Sequence, residues 1–199
     1  MTNLTVGNIT VVMRTRGFPV LENGRINLCG VRTSDMKANR FNDYITAFYL
    51  FDGMWNFFPF VGTTDPGTFW RQNPENVNGT AILKPGYYKD SHMVGIHRGY
   101  KALQQRGPVT VYRDDNRDAV LNTTGMQEDT GIFGINIHRA SETIASVQVD
   151  KWSAGCQVVQ DPDCFTFLMR LCERSIGRFG NLFSYCLIEE TDLSTGQAA

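Results

Sequence analysis

The sequence lacks any long hydrophobic run and any strong net charge. No stretch of about 18 consecutive apolar residues occurs among its 199 residues, so we expect no membrane-spanning helix. The formal charge is −1 at pH 7 and the isoelectric point is near 6.3, which argues against general binding to nucleic acid or to anionic membranes. Residues 1–7 contain neither a basic region nor a long apolar core, so we predict no secretory signal peptide.

The sequence also lacks the cysteine and histidine spacings of metal sites. None of its five cysteines belongs to a Cys-x-x-Cys pair, and its three histidines form no zinc-type pattern with them. An odd number of cysteines leaves at least one thiol free, and we expect a fold that does not depend on disulfides. We therefore predict no metal site and no cofactor. The cysteines are Cys29, Cys156, Cys164, Cys172 and Cys186.

What the sequence does contain is a series of strand-like segments. Hydrophobic residues make up 42% and charged residues 20%, as in globular proteins, and the length suits a single domain over residues 1–199. We find roughly eight or nine strand patterns, one clear helix and no regular alternation of strands with helices. These features predict a mostly β domain, either a sandwich or a barrel. No pattern specifies an oligomeric state.

Several segments in the N-terminal half give specific predictions. Residues 5–14 alternate as a first strand. The aromatic segments 44–51 and 54–61 flank an Asp52-Gly53 turn, which is typical of a β-hairpin. The polar residues 71–90, interrupted by proline and glycine, indicate a surface loop.

The C-terminal part contains the clear helix. Apolar residues recur at positions i, i+3, i+4 and i+7 from Phe165, which predicts an amphipathic helix from Pro162 to about Ser175. Asp161, immediately before a proline, is typical of a helix N-cap. A closing strand is predicted over residues 182–188.

Residues 131–157 carry the candidate chemistry, because they place a histidine and a cysteine near strand-like segments. The first predicted strand ends in His138, and the second covers residues 146–150 and leads toward Cys156. Two adjacent strands would bring both side chains together. An imidazole beside a thiol can take its proton and make the sulfur a nucleophile.

The turn Ser153-Ala154-Gly155-Cys156 suits the same chemistry. Gly155 allows a close approach of the backbone, and the N–H groups of Gly155 and Cys156 can then stabilise an oxyanion. A purely structural role remains the alternative for Cys156 and for His138. A free cysteine is often a small buried hydrophobic residue, and a single histidine is often a hydrogen-bonded structural residue.

The order and spacing of these residues resemble a known motif. His138, a gap over residues 139–152 and Ser153-Ala154-Gly155-Cys156 are similar to the active-site motif of the L,D-transpeptidase (YkuD-type) catalytic domain. That motif is a histidine, a gap of similar length and Ser/Thr-His-Gly-Cys. Residues 64–69, Thr-Asp-Pro-Gly-Thr-Phe, resemble a second family pattern, Thr-Pro-x-Gly-x-Phe, at the start of a strand. Together the two motifs frame about residues 63–159.

The resemblance implies an L,D-transpeptidase-like β-sandwich in which Cys156 is the nucleophile and His138 is the base. Ser153 and Gly155 would belong to the catalytic turn. The carbonyl of Arg139 would orient the His138 ring and fix which ring nitrogen faces the thiol. The implied substrate is a peptidoglycan stem peptide, attacked between an L-centre and a D-residue through a thioester.

The same resemblance places residues 92–104 in the region of the family's lid, and their pattern predicts a short strand followed by a helical turn. Asn136 shares one strand face with His138, because side chains alternate along a strand. For His97 the sequence alone favours a second interpretation, a cap for local backbone. The residues assigned to substrate binding are His97, Tyr100, Asn136 and Trp152.

Two departures from the family pattern leave the reaction outcome open. Ala154 stands where the family has a second histidine, and Val158 stands where it usually has arginine or asparagine. Hydrolysis by a phage-type lytic peptidase, as an endolysin or a virion-associated enzyme, is therefore an alternative to cross-linking. The missing secretory signal fits host lysis, a virion or another export route. A non-catalytic binding or virion structural module and a cysteine amidase with a substrate outside the cell wall are further alternatives.

Overall fold

The computed structural model describes residues 4–195, and within this range the chain forms eleven strands and four helices. The helices are α1 (Val6–Thr15), α2 (Thr68–Gln72), α3 (Pro162–Phe179) and α4 (Glu190–Thr195). The strands are β1 (Asn27–Arg32), β2 (Asp43–Phe51), β3 (Met54–Thr63), β4 (Thr80–Leu83), β5 (Gly86–His97), β6 (Tyr100–Gln105), β7 (Val109–Asp114), β8 (Gln127–Gly131), β9 (Ile137–Arg139), β10 (Gln157–Val159) and β11 (Phe183–Glu189). The mostly β class predicted from the sequence is confirmed. Among these residues no helix is both long and apolar enough to cross a membrane.

Eight of the strands close into a barrel, and the other three form a separate sheet. The order around the barrel is β1-β11-β5-β6-β9-β10-β3-β2, and the order in the sheet is β4-β7-β8. Two of the barrel pairings are parallel, β1 with β11 and β9 with β10. The β-sandwich expected from the resemblance is not confirmed, because eight of the strands close into a barrel.

The main core joins the barrel, the three-stranded sheet and α3. The amphipathic pattern predicted for α3 is confirmed, since its buried side chains are Phe165, Leu168, Met169, Leu171 and Cys172. The carboxylate of Asp161 accepts hydrogen bonds from the N–H groups of Asp163 and Cys164, at 2.8 and 3.0 Å, as an N-cap does. The helix continues beyond the predicted end and stops at Gly180, where φ is 82°.

The first element is a helix, so the strand predicted over residues 5–14 is wrong. Thr5 caps α1, its hydroxyl oxygen accepting the N–H of Asn8 at 3.2 Å. Three of the side chains that α1 buries have helical spacing, namely Ile9, Val12 and Met13. These side chains pack outside the barrel in a second core with residues such as Val31, Phe48 and Ile188.

Two tight turns build the hairpins of the barrel. The predicted hairpin of β2 and β3 is confirmed, with φ of 52° at Asp52 and 73° at Gly53, as a type I′ turn requires. Arg98 and Gly99, with φ of 48° and 89°, join β5 to β6 in the same way. The helical turn predicted near the end of residues 92–104 is therefore wrong, because that segment continues as strand β6.

The surface loop predicted over residues 71–90 is also wrong in part. All four residues of β4 are buried, and β5 begins at Gly86. The apolar stretch of β4 is too short to show a periodicity, and the flanking glycine and proline made it resemble a loop. Residues 68–72 form α2, where the family pattern implied the start of a strand.

Candidate active site

The candidate site lies where β9 and β10 run side by side. The two strands pair in parallel, with His138 opposite Val158, and the N–H of Gln157 donates to the carbonyl of Asn136 at 2.9 Å. Cys156 directly precedes β10. Side chains alternate along extended chain, so we infer that Cys156, one residue before β10, is on the face that Val158 and His138 share.

The strand that brings the cysteine to the histidine is not the predicted one. Residues 146–150 form no strand, and the pairing partner of β9 begins only after Cys156. β10 has three residues and carries no apolar–polar alternation, because β9 and β3 flank it and all three of its side chains are buried. The first predicted strand, residues 132–138, is also wrong in part, because residues 132–136 are not strand and β9 covers Ile137–Arg139 alone. The two strands that do pair are therefore shorter than the predicted ones, and the second is a different segment.

His138 is held as a neutral imidazole. Its Nδ1 atom lies 2.7 Å from the carbonyl oxygen of Arg139, which can only accept a hydrogen bond. The proton is therefore on Nδ1, and Nε2 has a free lone pair. The side chain is almost fully buried, and burial, as the main cause, lowers the pKa of His138 to about 4. The orienting role expected for the Arg139 carbonyl is thus seen in the structure.

Cys156 is a half-buried neutral thiol. Its Sγ atom donates to the carbonyl oxygen of Gly134 at 3.3 Å. Loss of solvent raises the pKa of Cys156 to about 11, against the smaller lowering effects of the Asn136 backbone N–H and of Arg98. The negative charge of Glu75 raises it further. The resting pair is therefore a thiol and a neutral imidazole, and no ion pair forms between them.

The turn before the cysteine is fixed by one serine. The hydroxyl of Ser153 donates to the carbonyl of Cys156 at 2.8 Å and accepts the N–H of Gly155 at 3.1 Å. Gly155 has φ of 126°, and a Cβ atom there would lie 2.5 Å from the carbonyl oxygen of Ala81. The close approach predicted at Gly155 is therefore present, and glycine is required for it.

Only one of the two N–H groups predicted to stabilise an oxyanion is available. The N–H of Gly155 is engaged by Ser153, so it is not free to stabilise an oxyanion in this conformation. The N–H of Cys156 has no hydrogen-bond partner within residues 4–195. Of the two predicted donors, the one that remains available is therefore the N–H of the cysteine itself.

Three of the predicted binding residues form a cluster in which His97 contacts His138. The imidazole rings of His97 and His138 stack with centroids 4.9 Å apart, and the ring of Tyr100 meets His97 edge-on at 5.8 Å. The amide nitrogen of Asn136 lies 3.4 Å from Nδ1 of His97. His97 thus contacts the candidate base, and the backbone-cap interpretation favoured from the sequence is not what the structure shows.

Arg139 and Trp152 differ in their relation to the site. The guanidinium of Arg139 lies 4.2 Å from the centroid of the Tyr100 ring, and its Nη2 is 3.5 Å from Glu142. Arg139 therefore packs against the site wall while its carbonyl holds His138. Trp152 is 43% exposed in the loop before the turn, and in the described chain its side chain makes no hydrogen bond or ring contact with the other predicted residues.

Two glutamines that no sequence motif singles out hold the site together. The side chain of Gln105 accepts the N–H groups of Phe133 and Ile135, at 3.0 and 2.8 Å, and so fixes the loop that carries Gly134. Gln157 accepts the hydroxyl of Tyr185 at 3.0 Å inside the barrel and donates to the carbonyl of Gly155 at 3.3 Å. Amide side chains at buried strand positions were the available signal, because buried polar groups need partners.

The second family-like motif touches the cysteine turn directly. The N–H of Gly67 donates to the carbonyl of Ser153 at 2.9 Å. A Cβ atom at Gly67 would lie 2.1 Å from the carbonyl of Asp150, so only glycine permits this contact. Thr64 is anchored in turn, its N–H and hydroxyl donating to the Asp43 carboxylate at 2.7 and 2.8 Å. The two motifs are therefore parts of one structural unit.

Within residues 4–195 no group of three or more histidine, cysteine or acidic side chains is arranged to hold a metal ion. Comparisons with protein-family models, with curated proteins and with solved structures found no match for this chain. The resemblance to L,D-transpeptidases therefore rests on the two sequence motifs alone.

Proposed function

We propose that the chain is a cysteine acyl-transfer enzyme with an L,D-transpeptidase-like catalytic unit, acting on peptidoglycan stem peptides. The observation that carries the proposal is the pairing of β9 with β10. This pairing supports the proposal because the strand that directly follows Cys156 lies beside His138, whose free Nε2 is set by the Arg139 carbonyl. The motif resemblance supports the substrate class, peptidoglycan stem peptides. The β9–β10 pairing and the orientation of the His138 ring support the thiol–imidazole chemistry.

In the first half-reaction the Nε2 atom of His138 takes the proton of the Cys156 thiol as the sulfur attacks a peptide carbonyl. A C–S bond forms, and the carbonyl electrons move to oxygen, where the N–H of Cys156 stabilises the negative charge. When the tetrahedral intermediate collapses, the C–N bond breaks and the leaving amine takes the proton from His138. The products are a free amine and a thioester on Cys156.

In the second half-reaction an amine or a water molecule attacks the thioester, and His138 takes a proton from it. The C–S bond breaks and the sulfur recovers its proton, so the enzyme returns to its starting state. Attack by an amine gives a cross-link, and attack by water gives hydrolysis. Ala154, which stands where the family has a second histidine, keeps hydrolysis as the second candidate outcome.

Digestion of purified peptidoglycan, with analysis of the released muropeptides, tests this proposal. We expect the wild-type chain to change the stem-peptide pattern, as new cross-linked dimers for a ligase or as shortened stems for a hydrolase. Cys156→Ala should leave the pattern unchanged, whereas Cys164→Ser, at an exposed cysteine on α3, should act as the wild type does. Equal activity of the wild type and Cys156→Ala would overturn the proposal.

A further inference from the structure

Two buried thiols outside the candidate site face each other across the pairing of β1 with β11. Cys29 and Cys186 are directly opposite in the parallel register of these two strands. Their neighbours Leu28 and Tyr185 belong to the main core, so alternation along the strands turns both cysteines to the outer face of the barrel. Both thiols are free, and both are almost completely buried in the second core.

The two cysteines meet the geometric requirement for a disulfide. Paired strands lie about 4.7–4.9 Å apart, and the Cα atoms of disulfide-bonded cysteines are usually about 4.4–6.8 Å apart. The two side chains lie on one face, and the thiol of Cys29 is in hydrogen-bond contact with Cys186. Cys172 is also buried, but it lies on α3 in the main core. A cross-link between β1 and β11 therefore needs little movement of the backbone.

The strands that these cysteines would join are the two ends of the barrel in the chain. β1 is the first strand and β11 is the last, and a parallel pairing is slightly less stable per residue than an antiparallel one. A bond between Cys29 and Cys186 would close a loop that spans most of the chain. Cross-links that close long loops restrict the unfolded chain most, so this bond would stabilise the barrel where it closes.

Helix α1 packs against the face of the barrel that carries the two thiols. It contributes Ile9, Val12 and Met13 to the core that contains Cys29 and Cys186. Burial raises the pKa of Cys29 well above its ordinary value, so this thiol is unreactive while the helix is docked. Because α1 belongs to neither sheet, it can leave this face without breaking a strand pairing.

We propose that Cys29 and Cys186 are a site of oxidative modification, where a small-molecule disulfide generates a cross-link between β1 and β11 when α1 undocks. One cysteine thiolate attacks the reagent, forms a mixed disulfide with one half of it and releases the other half as a thiol. The second cysteine then attacks the sulfur of the first, and the remaining half leaves as a thiol. The two cysteines lose two electrons and two protons, and the reagent takes up both. The inference is independent of the proposed function.

Peptide mapping after oxidation tests the site. The chain carries Cys156→Ser and Cys164→Ser, which remove the two less buried cysteines and keep Cys172 as a buried control. Incubation with 2,2′-dithiodipyridine should lower the intact mass by two hydrogen atoms. Non-reducing digestion should give one cross-linked peptide that contains Cys29 and Cys186, with Cys172 open to alkylation after denaturation. Reagent adducts without a cross-link, unmodified thiols, or a cross-link that includes Cys172 would overturn the proposal.

Thermal unfolding of the same chain measures what the cross-link does. We expect the oxidised form to have a Tm about 10 °C above that of the reduced form, as for a disulfide that closes a long loop. Adding Cys29→Ser should abolish both the cross-link and the difference in Tm. A cross-linked chain with an unchanged or lower Tm would show that the bond does not stabilise the barrel.

Two matched methionine substitutions test the role of α1. Met13→Ala removes a buried side chain through which α1 packs over the thiols, and Met169→Ala removes a buried methionine of α3 from the main core. We expect Met13→Ala to speed formation of the cross-link severalfold and Met169→Ala to leave its rate close to that of the parent chain. Equal acceleration by both would show that the thiols react only through general unfolding, and it would contradict undocking of α1.

Discussion

The Nδ1 atom of His138 lies 2.7 Å from the carbonyl oxygen of Arg139. Because a carbonyl only accepts hydrogen bonds, this contact keeps the ring proton on Nδ1 and makes Nε2 the basic atom. Burial lowers the pKa of His138, and it raises the pKa of the Cys156 thiol. Both pKa shifts favour the neutral forms, so the resting protein has a neutral imidazole at His138 and a protonated thiol at Cys156, with no preformed thiolate.

Alkylation of Cys156 should follow the behaviour of a thiol with a raised pKa. With the pKa at about 11, the thiolate fraction is small at pH 7 and grows about tenfold per pH unit up to pH 10. The rate of modification by iodoacetamide, followed by peptide mass spectrometry, should rise in proportion. A rate that stays constant between pH 6 and 9 would indicate a thiolate–imidazolium pair and would contradict this electrostatic description.

Replacing His138 should slow acylation far more than replacing its neighbour. His138→Gln removes the base, and general base catalysis typically contributes a factor of about 10² to 10⁴ in rate. His97→Gln removes only the stacked ring, so we expect a loss below about tenfold, comparable with the energy of one ring contact. Single-turnover rates of thioester formation measure both variants. Similar losses in the two would show that His138 is not the base.

Gly155 should tolerate alanine much less well than another glycine with a positive φ and open space around it. A methyl group at Gly155 would meet the Ala81 carbonyl, and φ is positive, so we expect Gly155→Ala to lower the free energy of unfolding by more than about 3 kcal/mol. Gly125, with φ of 79° and open space around it, is the matched control.

For Gly125→Ala we expect a loss of about 1 kcal/mol, from backbone strain alone. Urea denaturation gives both values. Equal destabilisation by the two substitutions would mean that the cysteine turn does not pack against β4 as the structure shows.

Buried histidines should make the fold sensitive to mild acid. His92 has its ring nitrogens 2.8 Å from the Ser91 hydroxyl and 2.8 Å from the Ile135 carbonyl, and burial lowers its pKa to about 4. Below pH 6.5 the unfolded chain binds a proton that the folded ring does not. The free energy of unfolding should therefore fall by about 3 kcal/mol from this residue between pH 6.5 and 4.

Denaturation at a series of pH values measures the loss for the whole chain, to which His138 adds in the same direction. An NMR titration isolates His92, whose ring signals should stay constant above pH 5. Ring signals that titrate near pH 6.5 would show that His92 is exposed and would contradict the packing of β5 against the loop before β9.

The sequence was most informative where a local pattern of residues is compatible with only one local structure. The Asp52-Gly53 hairpin, the Asp161 cap and the periodicity of α3 each depend on local chemistry, and each prediction was confirmed. The turn at Gly155 belongs to the same class, because a positive φ and a close backbone contact both require glycine.

The sequence was less informative where tertiary contacts override local pattern. Residues 5–14 alternate well enough for a strand, yet they pack as a helix because their apolar residues also fit a period of 3.6. β10 has only three residues, all buried, so its sequence is too short to show a strand periodicity. The second strand was therefore predicted at residues 146–150 instead. Closure of the barrel depends on the parallel pairings of β1 with β11 and of β9 with β10, which no local pattern encodes.

Some residues of the candidate site were likewise predictable from local sequence, and others were not. The pair of Cys156 and His138 came from a motif, and Asn136 came from strand alternation. The stacking of His97 on His138 and the roles of Gln105 and Gln157 depend on long-range contacts, so they could not be derived from spacing. A polar amide at a buried strand position is the one sequence signal that would have singled out these glutamines.

The most direct test of the central claim is the mass of the intact protein during reaction with a stem-tetrapeptide analogue. We expect a rapid mass increase equal to the acyl part of the peptide, located at Cys156 by peptide mapping and removed by hydroxylamine, as a thioester is. Cys156→Ala should show no adduct. Turnover of the peptide by Cys156→Ala, or an acyl adduct on another residue with Cys156 unmodified, would contradict the account.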